Sequence, residues 1–166
     1  MYTPEEMQRI TSFDLTRIIE SLDDYLSCKP TKNWYTRGHV MDNSLASSHT
    51  WGIDCYDTLD LFCQNWSNEF FDSSFACQSF YVMINHKKVM IERLNVIKKH
   101  FKSFSHKKHQ ENFSKLAGKL NLLMLKYVRM TMYQKDDYAN LHNSISELKH
   151  LDFSYMEILK KNLQLL

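Results

Sequence analysis

Three observations predict an all-α fold, a five-helix antiparallel bundle with one long loop between helices 1 and 2. Five segments carry apolar residues at helical spacing. Only three glycines and two prolines occur in 166 residues, too few for the turns of an all-β fold or the phosphate loops of a Rossmann fold. No stretch shows the alternation of a half-buried strand. Apolar residues make up 43% and charged residues 24%, as in globular proteins, and the length suits a single domain over residues 1–166.

Thr3-Pro4-Glu5-Glu6 reads as a helix start, with Thr3 as cap and Glu6 closing a capping box. Helix 1 is expected over about 4–27, with Leu15, Ile18, Ile19, Leu22, Tyr25 and Leu26 on one face. Residues 28–49 break the pattern with Pro30, Gly38 and many Ser, Thr and Asn. A small hairpin fits this loop as well. Helix 2 is expected over about 50–66, with an extension to 72, and its apolar stripe runs through Tyr56, Leu59, Phe62, Cys63 and Trp66. Ser73-Ser74 offers the next break. Helix 3 is expected over about 75–103, on Phe80, Met83, Ile84, Met90, Leu94, Ile97 and Phe101. Helix 4, over about 110–134, has Leu116, Leu120, Leu123, Tyr127 and Met130 at steps of four and three, and Leu122, Met124, Leu125, Val128 and Met132 widen the stripe, as expected of a central helix. Asp136-Asp137 can cap helix 5, over about 137–165. Asp152 interrupts its stripe and Ser154 to Glu157 forms a second capping box, so a kink or split is expected near 150–154.

The net charge of +2 hides two unlike halves. Residues 1–83 hold 12 acidic and 5 basic residues; residues 84–166 hold 7 and 16. Such a division points either to charged partners or to halves that neutralise each other across the fold. Cys28, Cys55, Cys63 and Cys77 show no CxxC or metal-ligand spacing, and the start of the chain shows no secretory signal. Free thiols and a cytoplasmic setting are expected. No apolar run is long enough for a membrane span.

The leading expectation is a non-enzymatic protein-binding module. It would be an inhibitor, immunity-type protein or antitoxin that neutralises a cationic macromolecular partner such as a nuclease toxin. Asp54, Asp57 and Asp60, off the apolar stripe of helix 2, would mimic phosphates and steer association. Trp34, Tyr35, Arg37 and His39 in the long loop are of types suited to interface anchors.

Two rivals rest on the basic half. Lys108, Lys115, Lys119, Lys126 and Arg129 fall within about 80° of one another on helix 4, a cation stripe suited to nucleic acid. In helix 3, Arg93 and His100 lie on one face. Their R-x(4–6)-H spacing resembles the RNA-cleaving motif of the HEPN families. That resemblance, confined to the motif and the helical class, implies metal-independent RNA cleavage by a dimer, with His100 moving protons and Arg93 holding the phosphate. No metal site and no cofactor is expected. His106 and His109 are three apart, but Lys107 and Lys108 beside them oppose a cation, and no Gly-rich phosphate loop, GxSxG or HExxH occurs.

Overall fold

A computed structural model describes residues 13–29 and 50–166. Five α-helices occur there: α1 Leu15–Leu26, α2 Cys55–Gln64, α3 Ser74–His100, α4 Lys107–Tyr133 and α5 Tyr138–Leu163, with a 3-10 turn at Gly52–Asp54 ahead of α2. The described residues contain no strand. The helices of 27, 27 and 26 residues are each roughly 40 Å long at 1.5 Å per residue.

These three helices form an up-down-up unit, because the turns that join them are short and only antiparallel neighbours can follow. Phe80 meets Tyr127 (ring centroids 6.3 Å apart) and Asn95 meets Gln110 (2.7 Å), which sets α3 antiparallel to α4. At the start of α4, His109 meets Asn162 near the end of α5 (2.9 Å). The shorter α1 and α2 pack on α5, and α2 also packs on α3. Buried side chains make one cluster, with Phe80, Leu94, Phe113, Leu120, Tyr127 and Leu159 all but fully enclosed. The expected apolar stripes of helices 3, 4 and 5 are the faces that supply it.

Polar residues punctuate the helices as their chemistry dictates. Asp14 accepts a hydrogen bond from the backbone N–H of Arg17 (3.3 Å) and starts α1. Phe13 and Asp14 are not helical, so the helix expected from residue 4 onward does not run unbroken to 27. Asp72 accepts from the Ser74 N–H (2.8 Å) before α3, and Asp136 from the Tyr138 N–H (2.9 Å) before α5. Lys98, Lys99 and His100 close α3, and Lys160 and Lys161 close α5, where cations meet the negative helix end.

Helix α2 starts later than its periodicity suggests. Gly52 sits at φ +59°, and a Cβ there would collide with the backbone carbonyl oxygen of Tyr25 at the end of α1. The chain can pass so close to α1 only without a side chain. Gly52→Ala is expected to cost about 1–3 kcal/mol through combined strain and clash, read as a lower denaturant midpoint with an unchanged slope. At its other end α2 stops at Asn65, whose side-chain amide donates to the Leu61 carbonyl (2.8 Å) and competes with continued helix.

The split expected near 150–154 is absent: α5 is continuous through that region. Asp152 does not break the helix because its carboxylate, fully enclosed, is matched by a lysine from α3.

Candidate functional site

Lys87 stands in the core stripe of α3, on the same face as Phe80, Met83, Ile84, Met90 and Leu94, and is fully enclosed. Its ammonium pairs with Asp152 of α5, donates to the Tyr25 hydroxyl of α1 (3.0 Å) and lies against His86 Nδ1 (3.3 Å). Tyr25 in turn donates to Asp152 (2.8 Å). Three donors on the ammonium thus have three acceptors, the full complement of a lysine. Burial pulls the Lys87 pKa down and Asp152 pulls it back up. Burial, then the Asp152 charge, pushes the Tyr25 and Tyr56 hydroxyls well above their ordinary range. His86 is held at about 4, first by burial and then by the adjacent Lys87 ammonium. The second Asp152 oxygen and the Tyr56 hydroxyl are both enclosed and make no hydrogen bond of ordinary geometry among the described residues. This cluster ties α1, α3 and α5 together. Its saturation makes Lys87 a structural group rather than a nucleophile.

Beside the cluster, a trough of about 590 Å³ runs between α2 and α3. Among the described residues, Phe62, Phe75, Val82 and Met83 make its apolar walls, while Cys55, His86, Lys87 and Tyr25 make its polar end. Sequence reasoning passed over this region. The signal was present: a lysine in the core stripe of one helix and an aspartate in the core stripe of another foretell a buried pair, since neither charge is tolerated there alone.

The carboxylates expected to face a partner hold cations of their own chain. Lys149 of α5 reaches Asp54 (3.0 Å) and Asp57 (2.7 Å), and His142 reaches Asp60 (2.7 Å), which also accepts from the Tyr138 hydroxyl (3.2 Å). The Cys28 thiol, and then Lys149, hold the Asp54 carboxyl below its ordinary value. Farther along, Lys160 pairs with Asp23. The charge division of the sequence is therefore closed in part within the fold, acidic first half against basic second half. Asp57 remains mostly exposed, whereas Asp60 is only 21% exposed. Trp34, Tyr35, Arg37 and His39, and with them the expected hairpin, lie outside the described residues.

Arg93 and His100 are both exposed on α3, with a rise of about 10 Å between them along the helix. Arg93 approaches the Met90 sulfur (4.0 Å) and His100 stacks on Phe13 (4.1 Å between centroids). Among the described residues no contact joins the two. His109 faces inward from α4, stacked on Phe104 (5.7 Å), with burial lowering its pKa. The four cysteines are free thiols, and burial pushes Cys63 up to about 12.

The basic stripe of α4 lies on its outer face. Lys108, Lys115, Lys126 and Arg129 are exposed and Lys119 is half-buried. Apolar side chains share that face: Leu122 is 60% exposed, Leu125 52% and Met132 72%. On α3, Phe75, Val82, Val89 and Val96 recur every seven residues and are likewise exposed. Both α3 and α4 thus carry a second apolar stripe beside the core stripe, and that of α3 begins in the trough against α2 at Phe75 and Val82.

No family model, no curated protein and no solved structure matches this chain. Among the described residues, no helix is long and apolar enough to cross a membrane.

Proposed function

We propose that the chain is a non-enzymatic protein-interaction module, working in the cytosol, that docks an acidic amphipathic helix on the outer face of α4. The observation that carries this reading is the alternation of Leu122, Leu125 and Met132, all exposed, with the exposed cations Lys126 and Arg129. Exposed aliphatic residues on one helix face are the seam that a partner helix fills, read as anchors three, four and seven residues apart. The flanking cations select the sign of that partner's charge and quicken its approach. Nucleic acid is the weaker fit for this face, because single strands stack on successive aromatic rings and, among the described residues, Tyr133 is the one exposed ring on α4.

The expected inhibitor of a cationic toxin, with Asp54, Asp57 and Asp60 at its interface, is the second reading. The exposure of Asp57 favours it. Against it, a cationic partner would have to displace Lys149 and His142 from these carboxylates.

Capture from the native cell tests the leading reading. Tagged wild type and a Leu122→Glu, Leu125→Glu variant are compared with and without nuclease treatment. The expected result is a protein partner that survives nuclease and is lost from the variant. Captured nucleic acid that disappears with nuclease, or equal capture by the variant, would overturn the reading.

A further inference from the structure

We propose that the trough between α2 and α3 binds a small apolar carboxylate, its chain lying between Phe62, Phe75 and Val82 and its head group accepting a hydrogen bond from His86 Nε2. The volume of about 590 Å³ falls within the range of roughly 300–1,000 Å³ typical of small-molecule sites, which are mostly apolar with a few polar groups at fixed positions. Here Tyr25, Cys55, His86 and Lys87 gather at one end, while Thr58, Gln78 and Ser79 add polar groups along the walls.

The tautomer of His86 follows from its neighbour. The Lys87 ammonium has no lone pair, so His86 Nδ1 must accept in their 3.3 Å contact. A neutral imidazole that accepts at Nδ1 carries its proton on Nε2. That N–H lies on the side of the ring away from Lys87. It has no partner among the described residues, and the ring lines the trough. Stacking on Tyr25 (5.3 Å between centroids) holds the ring plane. Among the described residues, the charges acting on His86 are the Lys87 and Arg93 cations and the Asp152 anion. Two positive charges against one favour an anionic head group over a neutral one. Lys87 itself is saturated by Asp152, Tyr25 and His86, so the donor offered to a ligand is the imidazole.

Calorimetric titration with decanoate and with 1-decanol tests the site. Both share the apolar chain, and only the acid has the charged acceptor. Decanoate is expected to bind about ten-fold more tightly than decanol, the worth of one charge-assisted hydrogen bond. Val82 is 65% exposed, so Val82→Trp fills the trough without disturbing the core, and it should abolish binding of both. His86→Leu should erase the preference for the acid. His86→Gln, which keeps an acceptor for Lys87 and a donor for the ligand, should restore it. The helical spectrum of each variant is recorded to show that it is folded. Equal affinity for the two ligands, binding by Val82→Trp as tight as wild type, or no saturable binding up to millimolar decanoate would overturn the proposal.

Discussion

Lys87→Met should destabilise the fold by about 3–5 kcal/mol, because it leaves the enclosed Asp152 carboxylate without its cation. For a chain of this size that is a fall in melting temperature of roughly 10 °C or more. The size of the loss reflects the charge left behind rather than the net worth of the pair. Bringing both ions out of water has already offset most of their attraction. Removing the whole cluster should therefore be far milder than removing one member. The combination Lys87→Met, Asp152→Leu and Tyr25→Phe leaves no buried charge in the cluster and adds no orphaned hydroxyl to that of Tyr56. It should recover to within about 2 kcal/mol of wild type or exceed it. Chemical denaturation of the single and triple variants makes the comparison. A loss below about 1 kcal/mol for Lys87→Met would show that Asp152 does not depend on it.

Acidification from pH 7 to pH 4 should cost about 3 kcal/mol through His86 alone. Burial, then Lys87 and Arg93, hold its pKa near 4 in the fold, with Asp152 opposing them. In the unfolded chain a histidine titrates near 6.5. Between these values the unfolded state binds a proton that the folded state refuses, so stability is complete above pH 6.5 and falls as pH drops toward 4. His109, lowered by burial and by Lys108, acts in the same direction. Asp54 has its carboxyl lowered below the ordinary value and so loses stability only at still lower pH. Urea unfolding at pH 7, 6, 5 and 4.5 measures the slope. His86→Gln should remove most of it, while an unchanged slope in that variant would place the acid sensitivity elsewhere.

Periodicity alone located the core faces of α3, α4 and α5, because each long helix repeats its apolar stripe over many turns. The ends were less legible. Gly52 sets the start of α2 through a contact with the Tyr25 backbone, which no local pattern records. Asp152 was visible as an interruption in helix 5, and a break was the reasonable expectation while its partner was unknown. The lysine that cancels it lies 65 residues earlier, on a different helix. The acidic run of helix 2 tells only part of its story for the same reason. Composition counts Asp54, Asp57 and Asp60, but only the fold brings Lys149 and His142 against them. Leu122, Leu125 and Met132 read in the sequence as a widening of the core stripe of helix 4, yet all three are exposed, because periodicity tells that a face is apolar and not what covers it.

The account turns on which charges are left for a partner: Asp54, Asp57 and Asp60, engaged by Lys149 and His142, or Lys126 and Arg129, which make no ion pair among the described residues and stand beside exposed apolar side chains. Affinity for the purified captured protein, measured at physiological salt for two charge variants, tests this most directly. Lys126→Glu with Arg129→Glu should weaken binding by at least about ten-fold, as when close charge pairs are reversed at an interface. Asp54→Asn with Asp57→Asn should leave it within about two-fold, since those side chains face Lys149. The opposite pattern, affinity lost with the two aspartates and kept with the two cations reversed, would contradict the account and place the partner on α2.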